Sequence, residues 1–311
     1  MNITIINNGL PIPTLYYGGT ERVIWGLGYE LHKMGHKITF VVPDGSSCHF
    51  ADIVVLNTNA PINDLIPKNT DIVHFNGFFD SNCKFPFVYT LHGNNENNEK
   101  ADPFTIFVSK NQALRNKGKT FVYNGLLWEA YPKVDLLKKR TYLHFLGKSR
   151  WRVKNLAGAC EIAIKTHTNL MVMGGEKWTF PNFKRKPHYS LHPKISYFKN
   201  VDDVSKIEIM EQSKGLLFPV QWHEPFGLAI IESLYAGCPV FGSKMGSLTE
   251  LIIPEVGFLS ESIIEITRAV KELTFSPQIC HDYATENFNA KVMAQNYFEV
   301  YQRFLDGEQL N

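Results

Sequence analysis

The sequence predicts an α/β protein built from two doubly wound domains, and three observations support this fold class. Short apolar strands alternate with helical segments along the whole chain, which is the pattern of parallel sheets covered by helices. With 311 residues, the chain is long enough for two domains that each bury a core. Each half opens with an apolar strand, at residues 3–6 and 142–146, and the same alternation follows both.

Helical periodicity and capping residues define the first and last helices. The first is predicted at about residues 19–34, where Gly35 is its C-terminal cap. The last is predicted at about 289–305, and six of its side chains form one apolar face: Val292, Met293, Tyr297, Val300, Tyr301 and Phe304. A seventh strand of the first half is expected at 120–123, and the linker between the domains at 129–139.

Composition and charge exclude several classes of protein. The formal net charge is only +2 and basic residues do not form one stripe, so nothing indicates a nucleic-acid partner. Two small basic clusters occur, Lys138-Lys139-Arg140 and Lys184-Arg185-Lys186. Each fits a solvated loop, and the alternative is contact with an anionic membrane surface or an acidic acceptor.

Cysteine usage and the apolar runs indicate a cytoplasmic protein. The five cysteines are scattered without a C-x-x-C pair, which argues against a metal site or a disulfide framework. The N-terminus opens directly with a strand and shows no signal-peptide pattern. No apolar run approaches the length of a transmembrane helix.

The stretch from His223 to Glu232 is the most informative motif in the chain. A turn after Glu224 leads into an apolar helical run, so Glu224 lies in the entry loop and Glu232 in the second helical turn. The amides of Phe226, Gly227 and Leu228 start this helix and carry a partial positive charge suited to phosphate. Two carboxylates beside these amides suit a ligand with an anion and several hydroxyls, such as a nucleotide-sugar. The alternative is an amphipathic helix whose acids face solvent.

These ten residues resemble the E-x7-E signature of retaining glycosyltransferases of family 4, which have the GT-B fold. The resemblance covers nearly the whole chain in order, through Gly18-Gly19, His92-Gly93, Asn124-Gly125 and Gly147-Lys148 with Lys154. It implies two Rossmann-like domains that face a central cleft. Residues 1–130 and the C-terminal helix 289–311 would form the acceptor-side domain. Residues 131–288 would form the nucleotide-sugar-binding domain.

The resemblance also implies roles for individual residues. Lys148 and Lys154 would bind the donor diphosphate, although the family more often has arginine where this chain has Lys148. Glu224 would hold hydroxyls of the transferred sugar, and Glu232 would bind the ribose. Three residues would be catalytic, namely His92, Glu224 and Lys154. Lys154 and Glu224 would also bind the donor, together with six others: Gly19, Lys148, Phe226, Gly227, Leu228 and Glu232.

The predicted function is retaining transfer of a sugar from a nucleoside-diphosphate donor to a hydroxyl acceptor, a glycan, glycolipid or small molecule. No metal site and no cofactor are expected, and weak peripheral contact with the inner face of a membrane is one reading. Two alternatives stay open. One is a non-catalytic module that binds a nucleotide-sugar or a glycan. The other is a dehydrogenase or epimerase, which the missing dinucleotide fingerprint disfavours.

Overall fold

A computed structural model of the chain describes residues 1–14, 18–94, 102–175, 189, 191–199 and 201–311. These residues divide into two compact units. Unit 1 comprises Met1–Trp128 and Asn287–Asn311, and unit 2 comprises Glu129–Glu286.

The core of unit 1 is a six-stranded parallel sheet. Its strands in chain order are β1 (Asn2–Asn7), β2 (Lys37–Val42), β3 (Asp52–Val55), β4 (Ile72–Asn76), β5 (Phe87–Leu91) and β6 (Thr105–Phe107). Across the sheet the order is β3-β2-β1-β4-β5-β6. Its helices are α1 (Gly19–Lys33), α2 (Ile62–Leu65), α3 (Lys110–Arg115) and α10 (Ala290–Leu305).

Burial on both faces explains the continuous apolar character of the central strands. In β1 the side chains of Ile3, Ile5 and Ile6 are all fully buried, as expected for a parallel strand with helices on both sides. Helix α1 packs close to the sheet through Gly28, where a Cβ atom would lie 2.3 Å from the Phe40 ring. A side chain larger than hydrogen at this position would therefore push the helix away from β2.

The terminal helix α10 is bound to unit 1 by hydrogen bonds as well as by its apolar face. The hydroxyl of Tyr301 lies 2.7 Å from Nδ1 of His74 on β4, and Nε2 of this histidine lies 2.7 Å from the Thr90 hydroxyl. Tyr297 lies 3.1 Å from the same threonine. Burial lowers the pKa of His74 to about 3, so the ring is neutral and serves the packing of the core.

Unit 2 has a second six-stranded parallel sheet. Its strands are β7 (Tyr142–Leu146), β8 (Leu170–Met173), β9 (Ile195–Phe198), β10 (Ser213–Phe218), β11 (Val240–Gly242) and β12 (Gly257–Leu259). The described helices are α4 (Leu156–Lys165), α5 (Asp203–Met210), α6 (Leu228–Tyr235), α7 (Leu248–Leu251), α8 (Ile263–Glu272) and α9 (Pro277–Asn287). None of the helices in the described part of the chain combines the length and apolar composition that a membrane crossing requires.

The two sheets have the same winding. The order in unit 2 is β12-β11-β10-β7-β8-β9, so in both units the first and fourth strands of the unit are neighbours at the centre. The chain leaves these two strands in opposite directions, and the crevice at their carboxyl ends is where ligands bind in doubly wound sheets. The α/β fold class predicted from the sequence is confirmed.

Several elements differ from the prediction. The strand expected at residues 120–123 forms only one isolated bridge, between Phe107 and Phe121. Strand β12 and helices α2, α3, α7, α8 and α9 were not predicted, although the start of α8 has a capping signal in its sequence. There the hydroxyl of Ser262 accepts a hydrogen bond from the amide of Glu265.

Candidate functional site

The loop that follows β10 carries Glu224, and its carboxylate is buried with 6% of the residue exposed. The ammonium group of Lys154 donates to both carboxylate oxygens, at 2.8 Å to Oε1 and 2.6 Å to Oε2. The same ammonium lies 5.2 Å from the ring centroid of Phe218, the last residue of β10. The structure therefore brings together the lysine and the glutamate that the sequence predicted as catalytic, 70 positions apart.

Backbone contacts between two loops explain how this pair forms. Lys154 ends a short 3-10 turn after β7, and the next residue, Asn155, adopts a left-handed conformation and caps α4. Its side-chain amide donates to the carbonyl of Pro219 at 2.8 Å. The amide of Gln221 donates to the carbonyl of Val153 at 2.7 Å. These bonds align the loops after β7 and β10, the strands at the switch point.

A third loop fixes the backbone of Glu224. The amide of Ser247 donates to the Glu224 carbonyl at 2.9 Å, and its hydroxyl donates to the Phe226 carbonyl at 2.7 Å. Gly246 has a left-handed φ of 66°, and a Cβ atom there would lie 2.3 Å from the Glu224 nitrogen. The Gly246-Ser247 segment therefore positions the Glu224 loop.

Helix α6 begins beside this carboxylate, as predicted. Gly227 precedes the helix with φ 88° and offers no side chain to cap it, so no N-cap side chain occupies the first amides of the helix. Phe226 is buried and anchors the turn. The predicted phosphate-binding amides therefore lie next to Glu224 in sequence, at the positive end of the helix.

Glu232 is also buried, and its carboxylate has two partners that the sequence did not reveal. Oε1 accepts from the Lys206 ammonium at 2.5 Å and from the Tyr131 hydroxyl at 3.0 Å. Lys206 is itself only 7% exposed and also pairs with Asp203 at 2.9 Å. The alternative that Glu232 faces solvent is wrong. The sequence gives little indication that Lys206 is a partner of Glu232, because a lysine in a short helix is usually exposed.

Lys148 differs from Lys154 in its surroundings. Its side chain is exposed, and its ammonium lies 4.7 Å above the ring of Trp151. Lys148 follows Gly147, which has a φ of 152° at the end of β7. Both lysines thus belong to the loop after β7, but only Lys154 is held against the buried carboxylate. The predicted role of Lys148 in binding a diphosphate stays a prediction.

The glycine loop of unit 1 is organised by a buried glutamate. Gly18 and Gly19 lie at the start of α1, as predicted, and Glu21 in its first turn is only 6% exposed. Oε1 of Glu21 accepts from the amide of Leu10 at 2.8 Å. A Cβ atom at Gly9 would lie 2.1 Å from the same oxygen. There is therefore no room for a side chain at Gly9 beside the Glu21 carboxylate. This carboxylate holds the loop after β1 through the Leu10 amide.

His92 follows β5 and forms a defined hydrogen bond. Its Nε2 lies 2.8 Å from Oδ1 of Asn76 at the end of β4. The Asn76 amide nitrogen faces the carbonyls of His74 at 3.3 Å and Ile6 at 3.5 Å, which fixes Oδ1 toward the histidine. Since Oδ1 only accepts, Nε2 carries the proton and Nδ1 is an acceptor. Burial lowers the pKa of His92 to about 4, so the ring is neutral near pH 7.

Two members of the first basic cluster contact other parts of the protein. Lys138 pairs with Glu211. The Arg140 guanidinium donates to the carbonyls of Ser213 at 2.8 Å and Ala236 at 2.9 Å. Lys138 and Lys139 are exposed in a loop, as the solvated-loop interpretation predicts, and Arg140 is the member that is fixed to the fold. The Lys184-Arg185-Lys186 cluster lies outside the described residues, and contact with a membrane stays a prediction.

A buried lysine–carboxylate pair beside a helix start, at the switch point of a doubly wound sheet, is suited to a ligand that has both an anion and hydroxyls. The family described as Glycosyl transferases group 1 matches residues 128–287, more than half of the chain. The chain belongs to this family, and the resemblance predicted from its motifs is confirmed.

Curated relatives match parts of the chain. An uncharacterized 42.6 kDa protein in the cps region of Klebsiella pneumoniae is 24% identical over 163 residues, 51% of this chain and 40% of that protein. The serotype-specific mannosyltransferase WbdA of Escherichia coli is 28% identical over 125 residues, 39% of this chain and 15% of that protein. The matched segments thus span about two fifths or less of these relatives.

Solved structures match over nearly the whole chain. AviGT4, a glycosyltransferase involved in avilamycin A biosynthesis, has a TM-score of 0.82 at 20% identity and covers 98% of both chains. Sucrose-phosphate synthase from Thermosynechococcus elongatus has a TM-score of 0.75 at 15% identity, covering 98% of this chain and 99% of that one. Anabaena HepE in complex with UDP and glucose has a TM-score of 0.69 at 14% identity, covering 97% and 99%. These likenesses confirm the predicted GT-B fold.

Proposed function

We propose that the protein is a retaining glycosyltransferase that moves a sugar from a nucleoside-diphosphate donor to a hydroxyl acceptor. The observation that carries this proposal is the buried pair of Lys154 and Glu224 next to the start of α6. It combines a cation and helix amides for a diphosphate with a carboxylate for sugar hydroxyls. Unit 2 would bind the donor, and unit 1 would serve the acceptor.

In this mechanism Lys154 acts on the leaving group. Negative charge develops on the β-phosphate as the bond to the sugar breaks, and a cation fixed in place stabilises it. Lys154 is 12% exposed at its side chain, and Glu224 is 7% exposed. Charge interactions in such partly dry surroundings are stronger than in water. Lys148 and the first amides of α6 would bind the remaining phosphate oxygens.

The two glutamates would recognise different parts of the donor. Glu224 would accept hydrogen bonds from hydroxyls of the transferred sugar once Lys154 binds the phosphate. Glu232 would accept hydrogen bonds from the ribose hydroxyls, since Lys206 and Tyr131 contact Oε1 and hold its carboxylate in place. An ion pair of this kind restricts the carboxylate to one orientation before the ligand arrives.

Unit 1 would contribute His92 and the glycine loop at Gly19. A neutral His92 that is protonated on Nε2 offers Nδ1 as an acceptor for a hydroxyl. Retention of configuration would follow from a same-face reaction assisted by the departing phosphate, as the family resemblance implies. Measuring the activity of the His92→Ala variant with and without acceptor tests the role of this histidine.

The relatives favour a glycan or glycolipid as the acceptor. One lies in a cps region and another is named a serotype-specific mannosyltransferase, so we infer a role in polysaccharide biosynthesis. An acceptor of this kind would be reached at the cytoplasmic face of a membrane. The HepE structures hold UDP and UDP-glucose, so uridine donors are the first to test.

Binding of UDP-, GDP- and ADP-sugars, followed by a transfer assay, tests the proposal. A cognate donor should raise the melting temperature, because a ligand at 100 times its Kd adds about 2.7 kcal/mol to the free energy of unfolding. Slow donor hydrolysis without acceptor, and transfer with retained anomeric configuration, are expected. Tight binding with neither reaction would support the non-catalytic module, and no binding by any donor would contradict the proposal.

A further inference from the structure

Trp222 contacts both members of the buried pair, and no sequence motif identified it. It lies in the loop after β10, two residues before Glu224. Its indole Nε1 donates to Oε2 of Glu224 at 2.6 Å. Its ring centroid lies 4.9 Å from the Lys154 ammonium. Trp151 packs edge-on against this indole, with ring centroids 5.9 Å apart and the planes at 84°.

The two donors to Glu224 are not equivalent. Lys154 contacts both oxygens, whereas Trp222 contacts Oε2 only. A diphosphate is a competing anionic partner for the ammonium, so donor binding would draw Lys154 away from the carboxylate. The indole hydrogen bond does not depend on that charge and stays in place. Oε1 is then released toward the ligand, while Oε2 is still held.

We propose that Trp222 is a positioning residue that keeps the Glu224 carboxylate aimed at the transferred sugar when Lys154 engages the diphosphate. This inference rests on the proposed function. The aromatic ring of Trp222 has a second role, because its face and that of Phe218 lie next to the Lys154 ammonium and stabilise its charge. The N–H group serves Glu224 and the ring serves Lys154.

The variant Trp222→Phe separates these two parts, since it keeps a ring next to Lys154 and removes the N–H donor. Calorimetric titration should compare UDP, GDP and ADP with UDP-glucose, GDP-mannose and ADP-glucose. Affinity for the cognate nucleotide-sugar should fall about tenfold, as expected for loss of a hydrogen bond to a charged group. Affinity for the matching nucleoside diphosphate, which has no sugar for Glu224 to bind, should stay within about twofold.

Trp151→Phe is the matched control, because it makes the same change in the adjacent indole, which makes no bond to Glu224. It should leave both affinities unchanged. If Trp222→Phe weakens the diphosphate and the nucleotide-sugar equally, the residue serves the fold and the inference is wrong. Equal affinities of wild type and Trp222→Phe for the nucleotide-sugar also overturn it. If the wild type binds none of the six ligands, the proposed function itself fails.

Discussion

Two glutamates with the same burial, Glu21 in unit 1 and Glu224 in unit 2, show how differently the two sheets use their carboxyl edges. Each is 6% exposed. Glu21 accepts hydrogen bonds from neutral groups, the Leu10 amide and the Asn7 side chain. Glu224 is paired with the Lys154 cation. Shared winding therefore fixes where each carboxylate lies, and the loop residues decide whether its partners are neutral groups or a cation.

The surroundings of the two edges extend this contrast. In unit 1 another ionisable group at the edge is His92, which is neutral and hydrogen-bonded to an amide side chain. In unit 2 a second ion pair, Lys206 with Glu232, is buried as well. Buried charges are costly unless they are paired, so their presence in unit 2 favours a role that needs charge. The diphosphate of a nucleotide-sugar is negatively charged, so it would match the cations at the edge of unit 2 and not the edge of unit 1.

The largest effect should follow from Lys154→Ala. Loss of the cation removes the stabilisation of charge on the leaving phosphate, and turnover should fall by about 10² to 10³. Steady-state rates with saturating donor measure this. Lys148→Ala is the companion, since its ammonium is exposed, and it should lower turnover by less than about tenfold. A Lys154→Ala protein with wild-type turnover would show that this lysine has no part in charge stabilisation.

The next largest effect should come from Gly246→Ala. A Cβ atom would lie 2.3 Å from the Glu224 nitrogen, so the loop must move and the carboxylate with it. The free energy of unfolding should fall by about 1–2 kcal/mol because of the left-handed backbone and by about 1–3 kcal/mol because of the clash. Urea unfolding measures the loss, and donor affinity should fall as well.

Gly35→Ala is the matched control for backbone strain. Gly35 also has a positive φ, 89°, but nothing lies within 4 Å of the position that its Cβ would occupy. This variant should show only the backbone cost and should bind donor normally. If the two alanine variants lose the same stability, contact between Gly246 and the Glu224 loop does not matter.

The sequence predicted the parts of the unit 2 site that depend on local signals. Glu224, the turn and the start of α6 follow from adjacent residues. The cap of α5 is local in the same way, since Asp202 accepts a hydrogen bond from the Ser205 amide. Lys154 was expected to bind the diphosphate from its motif. Its pairing with Glu224 was not predicted, because it depends on how two loops 70 positions apart align.

The residues that were missed act through long-range packing. Trp222, Lys206 and Tyr131 belong to no motif. Lys206 and Tyr131 meet Glu232 only when distant segments pack together. Trp222 contacts Glu224 locally, and its contact with Lys154 requires the loops after β7 and β10 to align. Lys206 looks like a solvent-facing helix residue until α5 and α6 place it against Glu232. Helix α8 is a different case, because Ser262 and the residues after it form a local start signal that the sequence contains.

Acid should destabilise both units in the same way, despite their different edges. His74 in unit 1 and His144 in unit 2 are fully buried, and burial lowers both pKa values from 6.5 to about 3. Below pH 6.5 the unfolded chain binds protons that the folded chain excludes. The free energy of unfolding should therefore fall, as pH drops from 6.5 toward 3, by about 1.4 kcal/mol per pH unit for each histidine.

Urea unfolding at pH 7, 6 and 5 measures this slope. Two variants, His74→Gln and His144→Gln, each remove one titrating group, and each should reduce the slope by about 1.4 kcal/mol per pH unit. Comparing slopes rather than absolute stabilities separates titration from the loss of packing. An unchanged slope in either variant would mean that the histidine in question does not control the acid response.

The protonation of His92 should respond to a substitution of its hydrogen-bond partner Asn76. Asn76→Asp places a carboxylate within hydrogen-bond distance of Nε2, and an opposite charge this close should raise the pKa of His92 from about 4 by about one to three units. NMR titration of the ring measures the pKa, and its nitrogen shifts report the tautomer. Asn76→Ser, which adds no charge, should not raise it. A pKa that stays near 4 in the aspartate variant would contradict the hydrogen bond.

The smallest effect should come from Glu21→Gln, and it completes the comparison with Glu224. A glutamine oxygen can still accept from the Leu10 amide, so the loop keeps its anchor and loses only the extra strength of a charged acceptor, about 1 kcal/mol. Turnover should stay within about twofold. Glu224→Gln makes the same chemical change but leaves Lys154 without its counter-charge, and turnover should drop more than about tenfold. Parallel assays of the two variants test whether equal burial conceals different roles, and equal losses would mean that it does not.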